Sequence, residues 1–292
     1  MSLPHFQKTR IAPTPSGYLH LGNVLSFAVT AELARQHNAK ILLRIDDLDR
    51  ARADGKYIDD IFDTLRFLEI PWDEGPHDTD DFEANYSQLN RMDNYHKALD
   101  QLAAEGLVFA CTCSRLQLQS GISCTCVEQN ISLSAKDAAW RLRTNINSEI
   151  KVKNHSGKRI KSTLPPEMNN FIVRKKDGFP AYQLTSVIDD IFYGVDLIVR
   201  GQDLWSSNLA QLVLASALGL KDFGDIAFYH HPLLTEQNGA KISKSAGATS
   251  INYLRENGIT PSEIYATVSK MLGISKSVNN RQQLAALVLT GL

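Results

Sequence analysis

The chain has 292 residues, of which 43% are hydrophobic and 22% charged, a balance that is ordinary for a globular enzyme. Its net charge of −1 argues against a highly basic protein that coats nucleic acid, although a local basic surface is compatible with it. We find no apolar run of membrane-spanning length and no secretion-type leader, so we expect a cytoplasmic protein.

Strand and helix patterns alternate at the start of the chain. The segment KTRIAP predicts a strand that ends in a turn, and apolar residues at helical spacing from Asn23 onward predict a helix. KILLRIDD predicts a buried strand, and DGKYIDDIFDTLRFLEI predicts an amphipathic helix that stops before Pro71. This order favours an α/β fold with a doubly wound parallel sheet of Rossmann type.

The pattern changes after residue 76. QLNRMDNYHKALDQLAAEGLVFAC predicts a helix that leads into a strand, and a cysteine-bearing loop and a polar, basic region follow it. We interpret this region as an insertion. Next, NFIVRKKDGFPAYQLTSVIDDIFYGVDLIVRGQDL predicts period-two strands, NLAQLVLASALGL a helix, and IAFYHHPLL a strand. From about Asn252 the pattern is helical to the end.

The segment APTPSGYLHLGNV joins the first predicted strand to the first predicted helix. Backbone N–H groups without helical partners, together with the helix dipole, suit an anion such as phosphate at this position. Gly22 permits a close approach to the backbone, and His20 can donate a hydrogen bond to developing negative charge. A surface histidine before a helix cap is the simpler alternative.

A second motif, KISKS, places Lys241 and Lys244 three residues apart in a polar segment. Lysine is a compact charge that suits phosphate, whereas a solvated pair of charges is the alternative. The two motifs together are much more specific than either alone.

This pair of motifs resembles the HIGH and KMSKS signatures of class I aminoacyl-tRNA synthetases. The segments RIAPTPSGYLHLGN, LLRIDDLDR, FPAYQLTSVIDD and DLIVRGQDL resemble the glutamyl branch of that family over roughly residues 8 to 255. The resemblance implies attack of an amino-acid carboxylate on the α-phosphorus of ATP, which Mg²⁺ accompanies. It implies that His20, Lys241 and Lys244 act in catalysis and that these three, with Gly22 and Asn23, bind ATP.

The same resemblance implies a glutamate pocket. Arg10 and Arg200 match two substrate-binding arginines, and a guanidinium can hold a carboxylate through two hydrogen bonds. The alternative for both is ion pairing with a nearby aspartate. The remaining matched positions are Ala12, Thr14, Tyr182 and Asp46. Asp46 departs from the family, which usually has a glutamate there as the expected partner of the substrate ammonium.

Two C-x-C pairs, Cys111 with Cys113 and Cys124 with Cys126, lie within the predicted insertion. Four thiolates from two short turns suit a tetrahedral, structural zinc ion, and four reduced cysteines without a metal are the alternative. The insertion of the glutamyl branch often carries zinc at this place.

The resemblance also implies a domain organisation. We expect a first Rossmann half at 1–75, an acceptor-type insertion with the zinc loop at 76–180, the second half at 181–240, and a KMSKS-type loop with a short helical stem at 241–292. Only 47 residues follow Ser245, so we expect no anticodon-binding domain. The chain therefore resembles the short glutamyl-Q branch of the family, whose members need no such domain.

That branch activates glutamate without tRNA and transfers it to queuosine in the anticodon loop of tRNA(Asp). The resemblance therefore implies glutamate, ATP and queuosine-bearing tRNA(Asp) as partners, and we expect a monomeric enzyme. A split synthetase that charges the 3′ end, or an inactive RNA-binding paralogue, is the alternative. Splayed loop bases suit recognition in a pocket, and basic residues of the insertion can contact phosphates. These basic residues are Arg141, Arg143, Lys151, Lys153, Lys158, Arg159 and Lys161.

Overall fold

A computed structural model describes residues 4–49, 52–114, 116–117, 124–234 and 250–291. None of the helices in these ranges is long and apolar enough to cross a membrane. The strands are β1 Lys8–Ile11, β2 Lys40–Leu43, β3 Val108–Cys111, β4 Ala139–Leu142, β5 Ile150–Asn154, β6 Arg159–Ser162, β7 Ile172–Arg174, β8 Leu197–Gly201 and β9 Ala227–His231. The helices are α1 Leu21–His37, α2 Gly55–Phe67, α3 Thr79–Asp81, α4 Met92–Ala104, α5 Tyr182–Phe192, α6 Trp205–Ala217, α7 Lys221–Asp225, α8 Ile251–Glu256, α9 Pro261–Met271 and α10 Arg281–Leu289.

The chain divides into two compact units, each of which is discontinuous in sequence. Unit 1 consists of Met1–Asn90, Val195–Leu204 and Ala227–Leu292. Unit 2 consists of Arg91–Gly194 and Trp205–Ile226.

The sheet of unit 1 is parallel and follows the order β2-β1-β8-β9. The chain leaves β1 through α1 to reach β2 on one side, and β8 lies on the other side of β1. The predicted doubly wound parallel sheet is thus confirmed. Its topological switch point lies between β1 and β8, where ligands bind in open α/β sheets, beyond the carboxyl ends of the strands.

Helix α1 lies in the core of unit 1. It buries residues on all sides, from Leu21 through Val24 and Leu25 to Ala34, which is the pattern of a helix packed within a domain. Asn38, with φ of 53°, adopts the left-handed conformation that ends the helix. The same core cluster contains residues of β1, α2, α9 and α10.

Unit 2 contains an antiparallel sheet in the order β3-β4-β7 and the hairpin β5–β6. Helices α4 and α5 bury an ion pair in which Arg91 donates two hydrogen bonds to Asp189, at 3.0 and 3.1 Å. The hydroxyl of Tyr95 donates to the same carboxylate at 2.7 Å. Asp189 raises the pKa of the Arg91 guanidinium against the opposing effect of burial. Such a pair is strongly destabilising to break, because one charge would remain buried alone.

The expectation of period-two strands across residues 170 to 204 was wrong for α5, Tyr182–Phe192. Leu184, Val187 and Ile191 recur at spacings of three and four residues, which is the helical period. The buried polar residues between them obscured this pattern, because polar residues normally mark the exposed face of an element. The predicted strands at β8 and β9 and the helices at α1, α2, α4 and α6 are present.

Candidate active site

The histidine loop, defined as residues 12–20, connects β1 to α1 at the switch point of the unit 1 sheet. His20 is the N-cap of α1, and its Nδ1 accepts a hydrogen bond from the Gly22 N–H at 3.0 Å. In return, the side chain of Asn23 accepts from the His20 N–H at 3.0 Å. This reciprocal pair is a capping box. Because Nδ1 is an acceptor, the proton of a neutral imidazole is on Nε2, which can donate to a ligand.

Gly22 is required by the imidazole of His20 itself. A Cβ at this position would lie 2.9 Å from Cε1 and 3.0 Å from Nδ1 of His20. The absence of a side chain therefore allows the ring to fold over the first turn of α1. In the structure the group closest to this position is the histidine ring, and the approach of a nucleotide to Gly22 stays a prediction.

Arg10 and Arg200 lie on adjacent strands of the unit 1 sheet and are both buried. Arg10 occupies the third position of β1, and its Nη1 lies 3.4 Å from the carbonyl oxygen of Val199. Arg200 is the next residue on β8, and its guanidinium lies 5.8 Å from the ring centroid of Phe228. The structure thus brings the two predicted arginines together near the carboxyl ends of β1 and β8.

His230 lies opposite Arg200 in the register of β8 and β9. Burial is the main cause that lowers the pKa of His230 to about 4, and the positive charge of Arg200 acts in the same direction. The imidazole is therefore neutral at physiological pH. Because the His230 imidazole is neutral, it adds no second positive charge beside the guanidinium of Arg200.

Asp46 is held by Arg44. Nε and Nη2 of Arg44 donate to the two carboxylate oxygens at 2.7 and 3.0 Å, and both residues are buried. Residues 44–46, which follow β2, remain paired with the chain that follows β1, because the Asp46 N–H donates to the carbonyl of Pro13 at 2.9 Å. Asp46 thus lies beside the histidine loop with its carboxylate oriented by a neighbouring cation. Its role toward a substrate ammonium stays a prediction.

The other three predicted pocket residues lie in different places. Ala12 and Thr14 belong to the histidine loop, where Thr14 is exposed and its carbonyl accepts from the Ser16 N–H at 2.9 Å. Tyr182 is the first residue of α5 in unit 2, and 46% of its surface is exposed.

Lys241 and Lys244 lie outside the described residues, within the segment 235–249. The first described residue after that segment is Ser250, which forms an isolated β-bridge with His20. The N–H of Ile251 donates to the carbonyl of Leu19 at 2.7 Å. The chain therefore leaves the lysine-containing segment directly beside the histidine loop.

The cysteine cluster, defined as Cys111, Cys113, Cys124 and Cys126, lies in unit 2. Its four Sγ atoms lie within 4.8 Å of one another, and no disulfide joins them. Cys111 and Cys124 are 3.6 Å apart, as are Cys113 and Cys126. A tetrahedral zinc ion with ordinary Zn–S bonds places sulfur atoms about 3.8 Å apart. The geometry fits zinc, and four protein ligands would make the site structural.

The thiols influence one another's ionisation. Burial and the neighbouring thiols raise the pKa of Cys113 to about 12. Burial opposes ionisation of Cys126 as well, but hydrogen bonds from Thr112 and the other thiols outweigh it and lower its pKa to about 7. Four thiolates this close repel one another unless a cation lies between them, so the donor chemistry also suits zinc.

The basic residues of the hairpin β5–β6 have partners within unit 2. Glu149 lies 2.9 Å from Lys161 and 3.9 Å from Lys151, and Asp225 lies 2.7 Å from Arg159. These exposed pairs neutralise part of the positive charge expected to meet RNA. The pattern agrees with the alternative of a solvated, charged surface, and contact with phosphate stays a prediction.

Sequence reasoning missed three polar residues beside the histidine loop, namely Arg44, Asp60 and Arg255. Arg44 could have been found, because residues two apart on an extended segment share a face. Arg255 donates to Asp60 across 195 residues of sequence, at 3.2 Å, and no local pattern predicts such a pair.

The switch point, the histidine loop and the buried arginines together define a doubly wound α/β protein whose predicted site residues on β1 and β8 lie near the carboxyl ends of these strands. Comparison identifies the family. The model for tRNA synthetases class I (E and Q), catalytic domain, matches residues 7–286. The chain therefore belongs to the class I tRNA synthetases, which are ligases.

The relatives have two different names. Glutamyl-Q tRNA(Asp) synthetase of Methylococcus capsulatus is 36% identical over 267 residues, which is 90% of this chain and 82% of the relative. Glutamate–tRNA ligase 2 of Nitrosococcus oceani is 32% identical over 87% of this chain, which spans only 57% of that relative. The crystal structure of glutamate-tRNA synthetase from Elizabethkingia anophelis superimposes with a TM-score of 0.72 at 19% identity, over 96% of this chain and 65% of that one. At this identity the likeness shows the fold alone.

Proposed function

We propose that the chain activates glutamate with ATP in the absence of tRNA and transfers the glutamyl group to queuosine at the wobble position of tRNA(Asp). The observation that carries the proposal is the arrangement at the switch point, where the histidine loop, Arg10 and Arg200 lie at the carboxyl ends of two adjacent strands. Relatives with the glutamyl-Q name support the acceptor, because each aligns over most of its own length as well as most of this chain.

In the activation step, a carboxylate oxygen of glutamate attacks the α-phosphorus of ATP. The bond to the bridging oxygen breaks, and pyrophosphate leaves with that electron pair. Negative charge on the phosphate oxygens is then stabilised by fixed donors. We assign this role to Nε2 of His20, with Lys241 and Lys244 as further cations and Gly22 and Asn23 as the backbone that receives the nucleotide. Mg²⁺ accompanies the ATP and supplies positive charge to its phosphates.

The arginine pair suits a dicarboxylic substrate. Two buried guanidiniums on adjacent strands can hold two carboxylates in a fixed geometry. Asp46, oriented by Arg44, would accept from the substrate ammonium, while Ala12 and Thr14 would line the pocket. We retain Tyr182 as a glutamate-binding residue on the ground of its sequence match alone. In the transfer step, a hydroxyl of the queuosine cyclopentenediol attacks the glutamyl carbonyl, and AMP leaves.

We assign zinc to the cysteine cluster, where it would connect β3 to the loop that carries Cys124 and Cys126. We further propose that the functional regions of the chain are 1–75, 76–180, 181–240 and 241–292, as expected from the sequence. We also propose that the enzyme is monomeric and cytoplasmic. The zinc loop would shape the RNA-binding surface and would not take part in the chemistry.

The decisive experiment supplies ATP and labelled glutamate with tRNA(Asp) that carries or lacks queuosine. We expect label only on the modified tRNA, and we expect it to persist when the 3′-terminal adenosine of that tRNA has been removed. Glutamate-dependent ATP–pyrophosphate exchange without tRNA is measured in parallel. If the chain catalyses ATP–pyrophosphate exchange but labels no tRNA, the proposed acceptor is wrong and the proposed activation step stands.

A second candidate is charging of the 3′ end of tRNA, which is favoured by the 32% identity with a glutamate–tRNA ligase. This function predicts label on unmodified tRNA(Glu), and the label would be lost on removal of the terminal adenosine. The two functions therefore give opposite results with trimmed tRNA.

A further inference from the structure

Asp60 is a buried carboxylate on α2, with 4% of its surface exposed. It accepts a hydrogen bond from the guanidinium of Arg255 at 3.2 Å, across 195 residues of sequence. The hydroxyl of Thr64 lies 3.4 Å from its other oxygen. Burial raises the pKa of Asp60, and the charge of Arg255 and the hydroxyl of Thr64 act in the opposite direction. A buried carboxylate is costly, so its donors define its position closely.

Arg255, the charged partner of Asp60, belongs to a segment that adjoins the proposed site. Arg255 lies on α8, whose N-cap, Ser250, accepts from the N–H of Tyr253 at 3.2 Å. Ser250 is also the first described residue after the segment that contains Lys241 and Lys244.

The contacts form a path within unit 1. Asp60 accepts from Arg255, which lies near the end of α8. Ile251, the first residue of that helix, donates its N–H to the carbonyl of Leu19 at 2.7 Å. Leu19 directly precedes His20, so the helix that Asp60 holds is bonded to the backbone beside the histidine.

We propose that Asp60 is a positioning residue for glutamate activation, which holds α8 through Arg255 and thereby keeps the start of that helix in place against the backbone of Leu19 and His20. This inference rests on the proposed function. Asp60 does not contact the reactants. Its effect is transmitted because a small displacement of a donor from the reacting phosphate is enough to slow the reaction.

The neighbouring acid, Asp63, provides a matched control. It lies on the same helix, and its carboxylate is 3.7 Å from the same guanidinium, but its side chain is 58% exposed. Asp60, by contrast, is 4% exposed, so the two acids beside one guanidinium differ mainly in burial. The variant Asp63→Asn therefore shows whether the loss of any carboxylate beside Arg255 slows activation, or only the loss of the buried one.

The experiment compares Asp60→Asn and Asp63→Asn in pyrophosphate exchange and in amide hydrogen exchange of the full chain. Asp60→Asn keeps the size of the side chain and removes the charge that holds Arg255. We expect it to lower kcat about tenfold with little change in KM for glutamate, and Asp63→Asn to stay within about twofold of the parent. The amide of Ile251, which donates to Leu19, should exchange faster in Asp60→Asn than in Asp63→Asn.

A double variant with His20→Asn separates positioning from a general loss of stability. If Asp60 acts through His20, Asp60→Asn should lower kcat less than about twofold when the imidazole is already absent. An equal decrease in both backgrounds would overturn the proposal. Unchanged exchange at the Ile251 amide would also overturn it, whatever the activity. A parent chain without glutamate-dependent exchange would instead refute the proposed function, and the amide measurement would still decide the role of Asp60.

Discussion

The histidine loop and the cysteine cluster are held in shape by different forces. The histidine loop is fixed by its own chain, since His20 and Asn23 exchange hydrogen bonds and the Asp46 N–H donates to Pro13. The cysteine cluster brings four thiols together with a few apolar neighbours, among them Phe109 and Ile131. Four thiolates so close together repel one another, and this arrangement becomes favourable only when a bound cation neutralises their charge.

This difference teaches which region depends on a ligand for its structure. A site that must bind and release substrate benefits from a geometry that exists before binding, because no ordering cost is then incurred at each turnover. A structural metal can supply the folding energy of its own loop, because it stays bound. We therefore expect metal loss to unfold the cysteine loop and to leave the activation step intact.

The largest expected effect concerns the metal. Cys113→Ser should reduce bound zinc from about one equivalent to nearly none and lower the free energy of unfolding by about 3 kcal/mol or more. Elemental analysis and chemical denaturation measure these changes. Thr112→Ser, which leaves every thiol in place, is the matched control. Pyrophosphate exchange should stay within about twofold of the parent. A parallel loss of exchange would show that the two regions are not independent.

The next effect concerns the imidazole. His20→Asn keeps a side chain that caps helices well and removes the Nε2 donor. We expect kcat for pyrophosphate exchange to fall about 100-fold, while the thermal midpoint stays close to that of the parent. His20→Ala should lose the same activity and, in addition, about 1 kcal/mol of stability, because the cap is lost. Full activity in His20→Asn would exclude the imidazole from the chemistry.

Sequence predicts what is local in this molecule. The alternation of periods at the start of the chain was sufficient for the parallel sheet. The capping role of His20 was not predicted, because the helix was expected to begin near Asn23 and histidine is not among the usual N-cap residues. Helix α5 was misread because it buries Asp189, whose partner Arg91 is 98 residues away. A pattern of apolar residues carries no information about a buried carboxylate that is neutralised from elsewhere in the chain. The link between Asp60 and Arg255 was missed for the same reason.

A further effect, confined to acidic pH, should appear in the stability of unit 1. The pKa of His230 is about 4 in the folded chain and near 6.5 when unfolded, so only the unfolded state takes up its proton between these values. Stability should therefore be complete above pH 6.5 and fall by up to about 3 kcal/mol as the pH decreases to 4. Denaturation at several pH values measures the slope. In His230→Gln the slope of the unfolding free energy against pH should decrease by the equivalent of nearly one proton. An unchanged slope would show that another group is responsible for the pH dependence.

The smallest effect on stability, and the sharpest test of how the histidine loop is held, is expected for Gly22→Ala. The new Cβ would meet the His20 ring at 2.9 Å, so the imidazole must turn away from the first turn of α1. Alanine favours a helix over glycine by about 1 kcal/mol, which offsets the lost cap of similar size, so the thermal midpoint should change little. Pyrophosphate exchange should nevertheless fall about tenfold, because Nε2 no longer lies where the phosphate needs it. Gly17→Ala, where a Cβ meets no atom within 4 Å, is the matched control in the same loop. If Gly22→Ala lost stability and kept its activity, the glycine would serve the backbone alone, and the histidine ring would not need its folded position.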